Sequence, residues 1–183
     1  MNNQIVTGSL SDIAQRDNIS LAESFLSAKI VVLLDTSGSM NYGDAPNGKT
    51  RKEHAEKALT DIQGRYPGAV ALITFASHVE FVPSGQPSWD GGTTDLTAGL
   101  EFVKVADDCG LKIVVVSDGE PDDERSALYV AKAFNDKIDV IYCGREGEDG
   151  ERFLQRLAAE SGGQFFNDGV GDVSGVETLL LQG

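Results

Sequence analysis

The chain has 183 residues, of which 40% are hydrophobic and 24% are charged. These proportions are typical of a globular protein with a substantial core, and the length favours a single domain. The 29 Asp and Glu residues outnumber the 15 Lys and Arg residues, giving a net charge of −14. Long-range repulsion therefore argues against nucleic acid and anionic membrane as partners. With only two cysteines, the composition also excludes a disulfide scaffold.

The beginning of the chain carries no export signal. The segment MNNQIVTGSLSDIAQRD lacks a basic region followed by an apolar one, and no apolar run reaches the roughly 18–20 residues of a membrane span. We therefore expect a cytoplasmic protein. Residues 1–28 are predicted to form a helical or irregular arm ahead of a domain spanning 29–183.

Short apolar blocks predict the strands of a buried sheet. Four of them are apolar without alternation, which is typical of parallel strands covered on both faces: Lys29–Asp35, Ala69–Phe75, Leu111–Ser117 and Ile138–Cys143. Val79–Val82 alternates and ends at a proline, so it is predicted to be an antiparallel edge strand of a hairpin. Gln164–Asn167 is a candidate sixth strand.

Segments with helical periodicity lie between these strands: Lys49–Gln63, Asp95–Val105, Glu124–Phe134 and Glu151–Ser161. Val173–Leu181 is predicted to form a closing helix. The alternation predicts an α/β fold, namely a doubly wound, Rossmann-like, mostly parallel six-stranded sheet. It has one antiparallel edge strand and helices on both faces.

Oxygen-bearing side chains follow the first strand, at the edge where open parallel sheets bind ligands. Asp35, Ser37 and Ser39 occupy alternate positions, and Gly38 allows the loop to turn sharply. In an extended or curling loop these three side chains point the same way. Carboxylate and hydroxyl oxygens suit a hard cation such as Mg²⁺ or Mn²⁺ rather than zinc or copper.

Two further segments bring polar groups to the same edge. A Gly-Gly pair is followed by Thr93 and Thr94, of which Thr93 is favoured by its position directly after the glycines. Asp95 is expected to cap the helix that follows. Asp118 comes after a long strand, in the run Ser-Asp-Gly-Glu. Any one of these residues alone is more typical of a turn or a helix cap.

Taken in order, the three segments resemble the von Willebrand factor A domain. The resemblance rests on DxSxS after the first strand, Thr after Gly-Gly and Asp in (S/T)DG, and it covers about residues 29–181, including LAAESGGQFF (Leu157–Phe166). It implies a metal-ion-dependent adhesion site at five positions: Asp35, Ser37, Ser39, Thr93 and Asp118. DxSxS alone is a weak signal, because serine-rich turns after strands are common.

The resemblance also implies roles for these residues. Ser37 and Ser39 would bind the metal directly and Thr93 directly or through water, while Asp35 and Asp118 would act through water and hydrogen bonds. Neutral direct ligands leave the cation most of its charge, so an open position attracts a carboxylate from outside. This implies a Mg²⁺- or Mn²⁺-dependent adaptor in an intracellular complex, with an AAA+ ATPase as a candidate neighbour.

Carboxylates also crowd the loops around this edge: Asp122, Asp123, Glu124, Glu146, Glu148 and Asp149. We expect them to be solvated groups at helix N-termini, with a second cation as the alternative. An acidic rim disfavours a strongly acidic partner. The partner is therefore expected to combine one Asp or Glu with basic flanks.

Two other classes of function stay open. An assembly module would leave its metal site unused. A Mg²⁺-dependent phosphotransferase or hydrolase would use Asp35 as nucleophile, but Thr36 and Ser37 follow it where a second carboxylate is needed. We expect a binding module and not an enzyme.

Overall fold

The computed structural model describes residues 4–45, 48–89 and 91–167. It has six strands in this part of the chain: β1 (Ile30–Asp35), β2 (Val70–Phe75), β3 (Val79–Phe81), β4 (Lys112–Ser117), β5 (Ile138–Tyr142) and β6 (Phe165–Asn167). The helices are α1 (Leu10–Asp17), α2 (Leu21–Leu26), α3 (Arg51–Arg65), α4 (Leu96–Lys104), α5 (Glu124–Lys132) and α6 (Asp149–Ser161). The predicted closing helix Val173–Leu181 lies outside the described residues.

The strands form one sheet in the order β3-β2-β1-β4-β5-β6. Only β3 runs antiparallel to its neighbour, and the other adjacent pairs are parallel. The strand order reverses between β1 and β4, where Leu34 lies opposite Val116. Such a switch point is where open α/β sheets bind ligands. The α/β, doubly wound fold predicted from the sequence is confirmed.

Two apolar layers enclose this sheet. All six residues of β1 and all six of β2 are buried, because their side chains enter both layers. One layer packs β-strand side chains against α4, α5 and α6. The other packs them against α3, whose contributing residues are Ala55, Ala58, Leu59 and Ile62. Continuous burial on both faces explains why the strand sequences do not alternate.

The predicted element boundaries agree with the structure to within about two residues, and the shifts at α3 and α6 go with local capping. α3 begins at Arg51 because Thr50 caps it: the Thr50 hydroxyl accepts from the Glu53 N–H, and the Glu53 carboxylate accepts from the Thr50 N–H. α6 begins at Asp149 rather than Glu151 and ends at Ser161, where Gly162 caps it in a left-handed conformation with φ +76°.

Residues 4–28 pack against the hairpin end of the sheet. The Val6 N–H donates to the Ser84 carbonyl and the Ser11 N–H to the Pro83 carbonyl, both over 2.9 Å. Leu10 is 1% exposed and belongs to the same apolar cluster as α4. Helix α1 of this segment therefore contributes to the core, and the domain boundary at residue 29 stays a prediction.

No helix in the described parts of the chain is long and apolar enough to cross a membrane. The longest of these helices, α3, has 15 residues and carries charged side chains. The two cysteines form no disulfide; Cys143 is buried directly after β5 and Cys109 is exposed.

Candidate metal centre

The loop after β1 is fixed on two sides. Its single 3₁₀ turn places Met40 entirely out of solvent, in the apolar layer under α3. The Arg51 N–H donates to the Tyr42 carbonyl over 3.1 Å, which ties the end of the loop to the start of α3. On its other side, the Gly38 N–H donates to the Gly92 carbonyl over 3.2 Å. The loop that carries the serines is therefore held against the Gly-Gly loop.

Asp35 lies fully buried at the carboxyl end of β1. Its Oδ1 accepts from the Ser37 N–H over 2.9 Å, and its Oδ2 accepts from the Ser117 hydroxyl over 2.6 Å. Burial and the nearby charge of Asp118 raise the pKa of Asp35 to about 7, although the hydrogen bonds from Ser117 and Ser37 oppose the shift. A cation at this point would favour the ionised carboxylate.

The two serine hydroxyls lie next to each other. Ser37 Oγ is 3.2 Å from Ser39 Oγ; Ser37 is buried and Ser39 is half-buried. The structure thus brings Asp35, Ser37 and Ser39 into one loop with two hydroxyl oxygens on a common side. Together they offer neutral oxygens beside a buried carboxylate.

Thr93 follows Gly92, whose carbonyl accepts from the Gly38 N–H of the serine loop, and Thr93 itself contacts Ser77. Thr93 is exposed, its N–H donates to Ser77 Oγ over 3.0 Å, and its hydroxyl lies 3.2 Å from the same oxygen. Thr94 is buried, and its N–H donates to Asp122 Oδ1 over 3.2 Å. Asp95 caps α4 as predicted, because its Oδ1 accepts from the Ala98 N–H. Sequence reasoning gave Ser77 no role.

Asp118 follows β4 and is entirely buried. Its Oδ2 accepts from Arg51 Nη1 over 2.9 Å, whereas Oδ1 has no hydrogen-bond partner among the described residues. The next residue, Gly119, has φ +78°, and a Cβ there would lie 2.3 Å from the carbonyl oxygen of Gly150. Only glycine allows this close approach to the start of α6. The loop that presents Asp118 is therefore clamped between β4 and α6.

Arg51 is the site residue that sequence reasoning missed. It is 2% exposed and forms ion pairs with four carboxylates: Asp44, Asp118, Glu120 and Glu148. Burial alone would lower the pKa of Arg51, but the hydrogen bonds that it donates to Asp44, Asp118 and Glu120 raise it above its ordinary value. The same hydrogen bonds hold the pKa of Asp44 below its usual range. Arg51 is thus a permanent cation inside an acidic cluster.

One local signal points to Arg51. It is the first residue of α3, where the helix dipole disfavours a positive charge. An arginine at that position therefore predicts that carboxylates lie nearby to compensate its charge. Asp118, Glu120 and Glu148 lie 67, 69 and 97 residues further along the chain, so the sequence alone does not identify them.

Two of the rim carboxylates, Asp123 and Glu148, differ in their partners. Asp123 caps α5, accepting from the Arg125 and Ser126 N–H groups, as expected for an acidic residue at a helix start. Glu148 differs from the expectation of a solvated group, because its carboxylate accepts from Arg51 over 3.0 Å. Pairing with Arg51 reduces the negative charge of this side of the rim.

The donor set suits a hard cation. No group of three or more His, Cys, Asp or Glu side chains in the described residues could hold a metal ion, so any ion at this edge depends on hydroxyl ligands. Hydroxyl, carboxylate and water oxygens are the ligands that Mg²⁺ accepts, and Mg²⁺ keeps several waters. The buried, unpartnered Oδ1 of Asp118 needs such a water or a cation. The residues present therefore fit Mg²⁺ or Mn²⁺.

No family model and no curated protein matches the chain. Among solved structures, it is similar to proximal thread matrix protein 1 from the mussel byssus, with a TM-score of 0.49 and 18% identity over 92% of this chain. It is also similar to the RO (RSR) protein of Deinococcus radiodurans, with a TM-score of 0.41 and 17% identity over 75% of this chain. The chain spans 50% of the mussel protein and 35% of the Deinococcus protein. These likenesses assign no site residue to it.

Proposed function

We propose that this chain is a von Willebrand factor A-like adaptor that binds a partner protein through Mg²⁺ or Mn²⁺. The observation that carries the proposal is the buried, unpartnered Oδ1 of Asp118 beside buried Asp35 at the sheet's switch point. Adjacent hydroxyls of Ser37 and Ser39 complete an oxygen donor set there. Buried polar groups normally have a partner, so this arrangement supports a bound ion with its water.

The hydrogen bonds support different roles for the five residues. Ser37 and Ser39 would contact the ion through their hydroxyls. Asp35 already accepts from Ser117 and from the Ser37 backbone, and one oxygen of Asp118 is held by Arg51. Both carboxylates therefore suit an indirect role through water. Bound there, the metal supplies an open coordination position for an anionic oxygen from the partner.

The Thr93 hydroxyl already has a partner in Ser77. Its hydroxyl lies 3.2 Å from Ser77 Oγ, and its loop touches the serine loop through the Gly38–Gly92 hydrogen bond. Under the proposal, the Thr93 hydroxyl leaves Ser77 and turns toward the ion when the metal and a carboxylate bind. Thr94 is the poorer candidate because it is buried and tied to Asp122 through its N–H.

Binding is favoured over phosphoryl transfer by the surroundings of Asp35. A carboxylate nucleophile must reach its substrate, but Asp35 is fully buried and both of its oxygens accept hydrogen bonds. Arg51, the buried cation beside Asp118, is committed to four carboxylates, so it is not available to hold a transferred phosphate. A cytoplasmic location rests on the sequence pattern of the first residues and a neighbouring AAA+ ATPase on the family resemblance; both stay predictions.

The test is a library of lysine-flanked peptides, randomised around a central residue fixed as Glu, Asp, Gln or Asn. The immobilised protein is probed in Mg²⁺ or in EDTA. Ser39→Ala, which lacks one of the proposed metal-binding hydroxyls, is the control. We expect enrichment of Glu or Asp peptides by the wild type in Mg²⁺ only, weakening as salt is added. Equal enrichment of Gln or Asn peptides, binding that persists in EDTA, or no binding at all contradicts the proposal. Persistent binding would favour the assembly module.

A further inference from the structure

We infer that the groove between α2 and the end of α4 is a second interaction surface, and that it binds an amphipathic helix of a partner protein whose polar face is basic. The groove does not depend on the proposed metal centre. Its floor includes Val31, which precedes Asp35 by four residues in β1, or about 13 Å of strand. The two surfaces therefore lie at different levels of the sheet.

The groove has a volume of about 550 Å³, which lies within the range of roughly 300–1,000 Å³ found for binding clefts. Side chains of three strands form its floor: Val31, Ile73 and Phe81. Helix α2 forms one wall, and the end of α4 with the residues after it forms the other. All eleven lining residues are apolar, so the groove offers an occupant apolar contact and no charge.

Large apolar side chains of both walls face water. Leu26 is 81% exposed and Val105 is 86% exposed, and Leu21, Phe25 and Phe102 are each at least 36% exposed. Single exposed apolar residues are common on protein surfaces, but five of them around one groove form a patch of the kind that marks an interaction site. A partner that covers them removes this apolar surface from water.

The groove is already formed in the free chain. The Ser24 hydroxyl donates to the Leu10 carbonyl over 2.9 Å, and Ser24 is buried, so α2 is fixed to α1. The Phe25 ring meets the Phe81 ring edge-on, with 5.5 Å between the ring centroids. A preformed wall lowers the entropic cost of binding a partner.

The chemistry of the lining favours a helix as the occupant. The floor strands β1 and β2 already use their backbone groups in the sheet, and the lining side chains carry no hydrogen-bonding groups. An occupant must therefore satisfy its own backbone N–H and C=O groups, and an α-helix does so within itself. Amphipathic helices bind apolar grooves through side chains at positions i, i+3 or i+4, and i+7.

The charges around the groove favour a basic partner. Apart from β2, which is uncharged, the segments that line it are residues 19–31, 79–82 and 100–108. They contain five carboxylates and two lysines: Glu23, Glu80, Glu101, Asp107, Asp108, Lys29 and Lys104. Lys104 is ion-paired with Asp107, which leaves an excess of negative charge. Lysine or arginine on the polar face of a partner helix would complement that charge.

The same charges disfavour two other occupants. A second copy of this chain would bring a net charge of −14 and the same acidic segments to the contact. The chain's own residues 168–183 contain three carboxylates and no Lys or Arg. Like charges oppose either occupant, so a different and basic protein fits the groove better.

The probe is a fluorescent, C-terminally amidated peptide of about 18 residues, or five helical turns, with leucine on one face and lysine on the other. The matched peptides are a version with glutamate in place of lysine and a version with the leucines and lysines scrambled. Binding to the full chain is measured by fluorescence anisotropy in EDTA, which removes any contribution of the proposed metal centre. The protein variants are Leu26→Ser/Val105→Ser and the control Tyr129→Ser, because Tyr129 is 79% exposed on α5 and lies outside the groove.

We expect the lysine peptide to bind the wild type and Tyr129→Ser equally and to gain helicity in circular dichroism. Leu26→Ser/Val105→Ser should bind it at least about tenfold more weakly, since two apolar contacts are lost. The glutamate and scrambled peptides should also bind the wild type at least about tenfold more weakly. No binding of the lysine peptide, equal binding of either matched peptide, or equal binding by Leu26→Ser/Val105→Ser would overturn the inference.

The other occupants give different results. A wild type that is dimeric in light scattering, with a monomeric Leu26→Ser/Val105→Ser, would assign the groove to a second copy. A lysine peptide that binds only the full-length variant Leu180→Asp would assign it to the chain's own end. Either result would overturn the inference. In Mg²⁺ the lysine peptide should bind with the same affinity as in EDTA, so a failure of the proposed metal centre leaves this outcome unchanged.

Discussion

The Ser117 hydroxyl donates to Asp35 Oδ2 over 2.6 Å, and this hydrogen bond joins the ends of the two central strands. The two residues are 82 positions apart in the chain, and both are buried. The short contact sets the orientation of the Asp35 carboxylate. It also bridges the switch point of the sheet, beside the serine loop.

Replacing Ser117 with alanine should destabilise the metal-free protein. A buried, hydrogen-bonded acceptor would lose its donor, which costs about 1–3 kcal/mol. Urea unfolding in EDTA measures the loss. Ser126→Ala is the matched control, because it removes a similar Ser–Asp hydrogen bond, to Asp123, at the exposed start of α5. Equal losses in the two variants would show that the buried bond has no special role.

The stability of the metal-free protein should depend on pH through Asp35. Burial and the charge of Asp118 raise the pKa of Asp35 to about 7 in the folded chain, against about 3.9 for an aspartate in an unfolded chain. Between these values the folded state keeps a proton that the unfolded state has lost. The contribution of Asp35 to the free energy of unfolding therefore falls as pH rises through this window.

The measurement compares the wild type with Asp35→Asn, unfolded by urea in EDTA from about pH 4 to about pH 8. The wild type should lose stability relative to Asp35→Asn as pH rises, and Mg²⁺ should reduce that loss by favouring the charged carboxylate. A pH-independent difference between the two proteins would contradict the raised pKa. If the stability of the wild type instead rises relative to Asp35→Asn with increasing pH, the pKa of Asp35 is lowered in the folded chain and not raised.

The elements that the sequence predicted well are those fixed by local pattern. β1 and β4 are continuous apolar runs because they are covered on both faces, and Asp95 caps α4 through a bond to a residue three positions on. The position of Thr93 depends on Ser77, 16 residues away, and on loop contacts that no pattern encodes. The Arg51 cluster depends on three loops meeting in space, which requires the fold.

Gly119→Ala should lower the free energy of unfolding for two reasons, the positive φ of residue 119 and a clash of the added Cβ with the start of α6. Gly119 has φ +78°, and its added Cβ would lie 2.3 Å from the Gly150 carbonyl oxygen. Gly147→Ala is the matched control, because Gly147 has φ +86° and open space around its Cβ. We expect Gly119→Ala to lose more than about 1 kcal/mol, and more than the control, in urea unfolding. Equal losses would contradict the close packing of the two loops.

Divalent metal should stabilise the folded chain. An ion that binds only the folded state adds roughly 2.7 kcal/mol at about 100 times its dissociation constant. Thermal unfolding in Mg²⁺, in Mn²⁺ and in EDTA measures this effect. The melting temperature should rise with either ion and fall back in EDTA, whereas Ser39→Ala should stay folded and show a clearly smaller rise. A variant that fails to fold would make Ser39 a structural residue instead.

The central claim is that Ser37, Ser39, Asp35 and Asp118 hold a divalent cation, and direct counting of bound Mn²⁺ tests it. Wild type, Ser39→Ala and the control Ser126→Ala are titrated with Mn²⁺ and followed by electron paramagnetic resonance, then challenged with Mg²⁺. The account predicts that each wild-type or control chain binds one Mn²⁺, which Mg²⁺ displaces. Ser39→Ala should bind Mn²⁺ at least about tenfold more weakly than the wild type. A wild type without bound Mn²⁺, or a Ser39→Ala variant that binds it equally well, would contradict the account.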